Sequence, residues 1–143
     1  MQVGLVSCTK SKRSEASQPS ELYMPSSLFK KAKAYSEENH DGWYILSAKH
    51  HLLSPDGSVI EPYDETLSGA PVDRKREWAK TTHQQLNREN LLEQGNELVF
   101  HAGRDYYEEL LPLLEDSGVD ISIPTEGLGL GKTLAWYNEH LDE

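Results

Sequence analysis

The sequence predicts an α/β fold: a Rossmann-like, three-layer protein with a mostly parallel sheet of about four strands and helices on both faces. Two observations lead to this prediction. Short apolar runs alternate along the chain with segments whose apolar residues recur at helical spacing. Each apolar run also stops abruptly at small, polar or charged residues, as buried strands do where they leave a sheet. Because strands that alternate with helices form right-handed βαβ units, the sheet should be mostly parallel.

Each predicted element follows from a local pattern. Strands are predicted at the apolar runs 2–7, 43–46, 97–101 and 119–124. Helices are predicted at about 26–38, 71–92, 105–116 and 132–141. Ser26 or Ser27 can cap the first helix, and Pro112 is expected to kink or break the third. Segments 14–25 and 52–70 are rich in polar and turn-forming residues and are predicted to be loops.

Length and cysteine content set the expected organisation. A single domain over residues 1–143 is expected, because this length supports one sizeable core. No apolar run is long enough to span a bilayer, and the N-terminus lacks the hydrophobic region of a signal peptide. One cysteine allows no disulfide within the chain. We therefore expect a cytoplasmic protein with no membrane partner; the sequence predicts no oligomeric state.

The charge distribution is uneven. The net charge is −10, which disfavours non-specific binding along a nucleic-acid duplex because phosphate neutralisation needs a basic face. Residues 1–49 nevertheless carry seven Lys and Arg against five Asp and Glu, whereas residues 50–143 carry seven against nineteen. A local basic pocket for one phosphate or a strand end therefore remains compatible with this acidic protein.

The first predicted strand runs directly into hydroxyl groups, a thiol and cations, in the order Ser7-Cys8-Thr9-Lys10-Ser11-Lys12-Arg13. In open α/β sheets, ligands bind at the carboxyl ends of the strands. Hydroxyl and backbone N–H groups suit an anion, and the cations supply countercharge. We therefore predict a phosphate- or carboxylate-binding site formed by Ser7, Cys8, Thr9, Lys10 and Lys12. The alternative is a strand followed by a solvated basic loop.

The other predicted strands also end in polar residues or glycines, and in a parallel sheet these ends share one edge. The residues expected there are Ser47, Lys49 and His50 after the second strand, Gly103 and Arg104 after the third, and Glu126, Gly127 and Gly129 after the fourth. Glycines let a ligand approach the backbone closely, although a flexible turn explains them equally well. The glycine stretch is not a P-loop, because Glu126 stands where that motif has its first glycine.

Four residues are candidates for catalysis: Lys49, His50, Glu61 and Asp64. Cleavage of a glycosidic or phosphate bond needs a carboxylate or an imidazole near the reacting group. Tyr63 is a candidate for contact with a base, although aromatic side chains more often belong to the core. The spacing of histidines and carboxylates matches no metal motif, so neither a metal nor a cofactor is predicted. A nucleophilic Cys8 is disfavoured, because no Cys-His-Asn arrangement is recognisable.

Six blocks of the sequence stand out together: Leu5–Lys12, Trp43–His50, Leu22-Tyr23 with Ser27–Phe29, Pro62–Leu67, Gly103 with Tyr106-Tyr107, and Gly127–Gly129. With these blocks the chain resembles a family of small, largely uncharacterised proteins of archaea, bacteria and phages. More distantly, the first two blocks resemble the YaaA peroxide-stress family and domains attached to archaeal tRNA-guanine transglycosylase-type enzymes, which implies a nucleic-acid or nucleobase setting. One departure is His51, where the family commonly has glycine.

These observations favour a protein that binds a nucleotide, a nucleoside or a nucleic-acid end. The expected activity is that of a hydrolase or transferase acting at a glycosidic or phosphate bond, with phosphate bound after the first strand. Tyr63 would contact the base. The alternative is a non-catalytic module that binds nucleic acid or a partner protein.

Overall fold

The protein is an α/β protein built on one five-stranded sheet. The computed structural model describes residues 1–141. The strands are β1 (Gln2–Ser7), β2 (Gly42–Ser47), β3 (His51–Leu53), β4 (Glu97–His101) and β5 (Asp120–Ser122). The helices are α1 (Pro19–Leu22), α2 (Ser27–Asn39), α3 (Val72–Arg88), α4 (Arg104–Tyr107), α5 (Leu111–Leu114) and α6 (Leu130–His140). None of the helices in the described chain is both long and apolar enough to cross a membrane.

The sheet is mixed, which corrects the predicted mostly parallel sheet of about four strands. Its order is β3-β2-β1-β4-β5. β1 pairs in parallel with β2 and β4, and β5 pairs in parallel with β4. β3 pairs antiparallel with β2, directly after a tight turn. The sequence pattern missed β3 because its three residues are only half-buried and do not form an apolar run.

Most predicted helices are present, with changes at proline residues. Ser26 caps α2, since its hydroxyl accepts the backbone N–H of Phe29 at 3.2 Å. The predicted third helix is two short helices, because Pro112 lies in the first turn of α5, where its missing N–H leaves no intrahelical bond unmade. The short helix α1 begins at Pro19 within a segment predicted to be a loop. Both differences are therefore local effects of proline.

The core surrounds β1. Val3, Leu5 and Val6 are at most 1% exposed. Helix α2 packs against β1 and β2 and also against α6, whereas α3 packs with β3, α4 and α5. Gly4 lies beneath α2, where a Cβ atom would stand 2.7 Å from Cδ2 of His40. The absence of a side chain at Gly4 therefore sets how closely the end of α2 approaches the sheet.

The connections leave β1 and β4 in opposite directions along the sheet. The chain passes from β1 through α2 to β2, on one side, and from β4 through α4 and α5 to β5, on the other. The carboxyl ends of β1 and β4 are neighbours, with Val6 opposite His101. Such a switch in direction opens a crevice between adjacent strand ends, and ligands of open α/β sheets bind there. The fold therefore predicts a binding crevice between the carboxyl ends of β1 and β4.

Candidate functional site

Two adjoining cavities open at the carboxyl ends of β1 and β4. Their volumes are about 560 Å³ and about 870 Å³. We call the smaller one the apolar cavity and the larger one the polar cavity, after the side chains described below. Both cavities are lined by Ser7 and Thr9 from the end of β1, by Gly103 after β4, and by Leu28 and Leu130. A ligand at this shared boundary would therefore reach into both.

The apolar cavity lies between α2, the end of β4 and the start of α6. Its hydrophobic and aromatic walls come from Leu28, Phe29, Ala32, Tyr107, Leu128 and Leu130. His101 and Tyr137 also line it, and both side chains are almost completely buried. Arg104 and Glu126 add one charge of each sign at exposed positions. Hydroxyl groups of Ser7, Thr9, Thr125 and Thr133 also line it, so the cavity suits a flat, largely apolar group that can form some hydrogen bonds.

The polar cavity begins at the loop that follows β1. Hydroxyl groups line it, from Ser7, Thr9, Ser11, Ser26, Thr66 and Ser68. Lys10 and Lys12 also line it, and neither forms an ion pair within residues 1–141. Nζ of Lys12 lies 4.5 Å from the ring centroid of Tyr63, close enough for a cation–π interaction. This part of the cavity therefore offers two cations and several hydrogen-bond donors to an anion.

Carboxylates line the same cavity and moderate its charge. Asp64, Glu65 and Asp105 contribute to the wall. Asp105 is paired with Lys75 at 3.1 Å, which offsets its charge. Glu65 lies 4.0 Å from Lys49, at a solvent-exposed position where an ion pair contributes little. Asp64 and Glu65 are thus the carboxylates that a bound anion would meet.

A layer of buried hydroxyl and thiol groups supports the polar cavity from below. The Tyr63 hydroxyl lies 2.6 Å from that of Tyr23 and 2.7 Å from that of Ser47. Sγ of Cys8 lies 3.3 Å from the hydroxyl of Tyr106 and accepts the backbone N–H of Ala48 at 3.4 Å. Burial raises the pKa of Tyr23 to about 12 and raises the pKa values of Tyr63 and Tyr106 further. These phenols are therefore neutral hydrogen-bonding groups that fix the cavity floor.

The structure brings most of the predicted binding residues to one place. Those that line the polar cavity are Ser7, Cys8, Thr9, Lys10, Lys12, Tyr63 and Gly103. Those that line the apolar cavity are Ser7, Thr9, Gly103, Arg104, Glu126, Gly127 and Gly129. Ser47 lines neither; it is fully buried and donates or accepts the hydrogen bond to Tyr63. Its role in the geometry is to hold the Tyr63 side chain.

Among the four predicted catalytic residues, Asp64 lines a cavity, and the other three line neither. Lys49 is exposed and faces Glu65. The His50 ring packs edge-on against Tyr63 at 5.6 Å, and burial lowers the pKa of His50. Glu61 is exposed. Lys49 and His50 follow β2, which β1 separates from β4, so the strand order places them beside the crevice rather than in it.

The sequence reading did not assign a chain of polar groups behind the apolar cavity. Nδ1 of His101 lies 2.8 Å from the Tyr137 hydroxyl, and Nε2 of His101 lies 2.8 Å from Nε2 of His40. Nδ1 of His40 lies 2.7 Å from Oε1 of Gln2. Burial lowers the pKa of His101 to about 3, so this ring is neutral. His101 was visible in the sequence as the end of a strand, but no local spacing connects it with His40 or Tyr137.

Within residues 1–141, His, Cys, Asp and Glu side chains form no group of three or more that could hold a metal ion. The polar groups that the crevice presents are hydroxyl, ammonium, guanidinium, carboxylate and imidazole groups.

Comparison with known proteins identifies a family. No curated protein and no solved structure matches the chain. The sequence model of a family of unknown function, DUF6884, matches residues 3–139. This range includes every residue that lines the two cavities. The chain belongs to this family of unknown function, DUF6884.

Proposed function

We propose that the protein binds a nucleotide-like ligand across the two cavities, with phosphate in the polar cavity and the ring system in the apolar cavity. One observation carries this proposal: both cavities meet at Ser7, Thr9 and Gly103, where the crevice between β1 and β4 opens. The volume of the apolar cavity, about 560 Å³, lies within the usual range for small-molecule sites. A ligand with an anionic end and a ring end fits this division.

The phosphate end of the proposal depends on Lys10 and Lys12. Both ammonium groups lack an acidic partner in the described chain, and hydroxyls of Ser7 and Ser11 line the same cavity. Lysine binds phosphate as a point charge, and hydroxyl and backbone N–H groups add directional hydrogen bonds. Asp64 would repel a phosphate placed beside it. We therefore place the phosphate toward Lys10 and Lys12, away from Asp64.

The ring end depends on the apolar cavity. The aromatic side chains of Phe29 and Tyr107 line it, and so do the aliphatic side chains of Leu128 and Leu130. Flat heteroaromatic rings gain stability by contact with such surfaces. Gly127 and Gly129 have no side-chain atoms that would narrow the entrance, and Cβ atoms there would meet nothing within 4 Å. The cavity would thus admit a nucleobase or a nucleoside.

We infer that the reaction, if the ligand is a substrate, is hydrolysis or transfer at a glycosidic or phosphate bond. Asp64 supports this assignment, because it is a carboxylate in the polar cavity and carboxylates serve as acid–base groups. Lys49, His50 and Glu61 would then orient or support the loop around Tyr63. The non-catalytic alternative uses the same cavities to hold a nucleic-acid end or a partner without turnover.

We also propose the finer points of the fold and setting: helices on both faces of the sheet in a Rossmann-like, three-layer arrangement, a single domain, and a cytoplasmic location. Two observations support helices on both faces. Helix α2 covers the sheet face at Gly4, and α3 packs with α4 and α5 but is not among the main contacts of α2. The shared strand-end blocks support the more distant relationship to the YaaA family and to transglycosylase-associated domains. This relationship is the reason to test nucleobase-containing ligands first.

Isothermal titration calorimetry with adenosine 5′-monophosphate, adenosine and inorganic phosphate tests the binding proposal. We expect the monophosphate to bind more tightly than either fragment. Lys12→Ala should weaken its binding by roughly tenfold or more, since one charged hydrogen bond contributes about 1.5–3 kcal/mol. Lys80→Ala, on the exposed surface of α3, is the control with the same charge change. Equal affinities for the native protein and Lys12→Ala would contradict the proposed phosphate site.

A short single-stranded oligonucleotide with a 5′-phosphate distinguishes the catalytic and non-catalytic readings. Turnover of the monophosphate or the oligonucleotide that disappears in Asp64→Asn, with binding retained, would support an enzyme. Binding only to the oligonucleotide, without turnover and lost at high salt, would favour the non-catalytic module. Absence of binding by all four ligands would contradict a nucleotide-like ligand.

A further inference from the structure

We propose that Tyr137, His101 and His40 form a proton relay, which takes a proton from a group bound in the apolar cavity and holds it on His40. The relay deepens the proposed function and rests on a ligand occupying that cavity. Tyr137 and His101 line the cavity wall, and His40 lies behind them, toward the amino-terminal end of β1. The proposal adds a buried acid–base group to a cavity whose charged lining residues, Arg104 and Glu126, are exposed.

Gln2 fixes the direction of the hydrogen bonds. Its side-chain N–H donates to Oε1 of Glu97 at 2.7 Å, so its amide oxygen faces Nδ1 of His40, also at 2.7 Å. An amide oxygen only accepts, so Nδ1 of His40 carries the hydrogen and Nε2 of the neutral ring is bare. Nε2–H of His101 therefore donates to His40, and Nδ1 of His101 accepts from the Tyr137 hydroxyl. In this arrangement Tyr137, His101 and His40 are all neutral, and both ring nitrogens of each histidine have a hydrogen-bond partner.

The hydrogen bonds of His101 to Tyr137 and His40 can accommodate one added proton if the donor and the acceptor exchange roles in each of them. The oxygen of Tyr137 accepts a proton from the bound group and passes its own hydrogen to Nδ1 of His101. His101 passes the hydrogen on Nε2 to Nε2 of His40, which becomes an imidazolium with both nitrogens protonated. Tyr137 and His101 end neutral, with their hydrogen bonds reversed. The net change is the transfer of one proton from the bound group to His40.

The added positive charge ends on His40, which is less buried than His101. His101 is 4% exposed, so a charge held there would be strongly disfavoured, whereas His40 is only half-buried. The carboxylates of Glu97 and Asp41 lie near His40, and Asp41 accepts the backbone N–H of Gln2 at 2.7 Å. Burial lowers the pKa of His40, and the two carboxylates act against that effect by favouring a positive charge on the ring.

The remaining groups that face His40 are uncharged. The ring of Tyr35, on α2, lies edge-on to His40 at 5.5 Å and to His101 at 5.3 Å. The Ser36 hydroxyl, also on α2, lies on the same side, over Gly4. From α6, Tyr137 approaches Tyr35 at 6.0 Å. Among residues 1–141, the titratable groups that contact or act on the relay are thus Tyr35, Tyr137, Asp41 and Glu97, and none of these four carries a positive charge.

A second observation, independent of the hydrogen bonds, concerns Gly4. A Cβ atom at this position would lie 2.7 Å from Cδ2 of His40 and 2.9 Å from Oγ of Ser36. Real Cβ atoms do not approach other atoms so closely, so any side chain at the centre of β1 would displace the His40 ring. The absence of a side chain at Gly4 therefore leaves the space in which the His40 ring reaches His101.

The relay is tested on the ligand-free protein, so its failure is distinguishable from a failure of nucleotide binding. Long-range ¹H–¹⁵N correlation spectra of protein with ¹⁵N-labelled histidine report the hydrogen position on each ring. At neutral pH we expect His40 protonated at Nδ1 and His101 protonated at Nε2. On acidification, His40 should gain its second proton in the same transition in which His101 changes from the Nε2–H to the Nδ1–H form.

Two variants complete the test. In Tyr137→Phe, Nδ1–H of His101 would have no acceptor, so His101 should keep the Nε2–H form throughout the titration. His83→Gln, on α3 and outside the relay, should leave both the hydrogen positions and the transition unchanged. The opposite hydrogen positions at neutral pH would overturn the relay. Protonation of His40 without a change in His101, or a change in His101 that persists in Tyr137→Phe, would do the same.

Discussion

The ammonium group of Lys12 lies over the face of the Tyr63 ring, 4.5 Å from its centroid, while the Tyr63 hydroxyl is bound from below by Tyr23 and Ser47. The buried hydroxyl network therefore determines where the ring stands, and the ring in turn helps to hold the cation at the polar cavity. If the proposed phosphate site is occupied, Tyr63 contributes both to stability and to ligand affinity. A substitution that removes the hydroxyl and keeps the ring distinguishes the hydrogen bonds of Tyr63 from its contact with Lys12.

Removing only the Tyr63 hydroxyl should destabilise the protein while leaving the cation–π contact in place. Tyr63→Phe deprives the Tyr23 and Ser47 hydroxyls of a partner at 2.6 Å and 2.7 Å, which should lower the free energy of unfolding by about 1–3 kcal/mol. Urea denaturation measures the change. Tyr44→Phe is the control, because the Tyr44 hydroxyl makes no side-chain hydrogen bond within the described chain. Equal losses in the two variants would show that the network does not stabilise the fold.

Gly4→Ala should destabilise the protein by about 1–3 kcal/mol, the usual cost of inserting a methyl group into a packed site. The added methyl would meet the His40 ring at 2.7 Å. The loss should be smaller when the substitution is made in a His40→Ala background, because one of the two close contacts is then gone. Gly42→Ala in β2 is the matched control, since a Cβ atom there meets nothing within 4 Å. A double-mutant cycle by urea denaturation measures the coupling; additive effects would contradict the close contact.

The sequence predicted the elements that have strong local patterns. β1 and β4 were located because each is a buried apolar run that ends in polar residues. β3 has three half-buried residues and α1 has four residues, so neither repeats its pattern often enough to be recognised in the sequence. The pairing of β3 with β2 depends on the turn at His51 rather than on hydrophobic alternation. The mixed character of the sheet therefore could not be predicted from periodicity.

The site was predictable to the extent that its residues follow one another along the chain. Residues 7–12 line the polar cavity because they leave the central strand together. The contacts of Cys8 with Tyr106 and of His40 with His101 join residues 98 and 61 positions apart, which no local pattern encodes. The strand order was also not predictable, and it is the order that places Lys49 beside the crevice rather than in it.

His51 offers a test of backbone strain. Its φ is 65°, in the left-handed region that favours glycine. Its ring stacks on Trp78 at 6.3 Å, so a direct comparison with glycine would mix strain with a lost contact. Both His51→Ala and His51→Gly remove the ring. We expect the glycine variant to be more stable than the alanine variant by about 1 kcal/mol, measured by urea denaturation. Equal stability would show that this turn stores no strain.

The buried ring of His101 should make the protein less stable in acid. Its pKa in the folded state is about 3, below its ordinary value of 6.5. Between these values the unfolded chain binds a proton at this ring and the folded chain does not. The free energy of unfolding therefore falls as the pH falls through this window, by up to about 1.4 kcal/mol per pH unit from this group. The contribution is fully present above pH 6.5.

A variant without the ring isolates that contribution from those of the many carboxylates. Urea denaturation of the native protein and of His101→Gln, at a series of pH values from 7 to 4, gives the difference in stability between them. His101→Gln should be the less stable protein at neutral pH, because it loses the contacts with Tyr137 and His40. The difference in the free energy of unfolding between His101→Gln and the native protein should shrink steadily on acidification. The corresponding difference for His83→Gln should stay constant. A difference that stays constant from neutral to acid pH would mean that His101 is not held neutral by the fold.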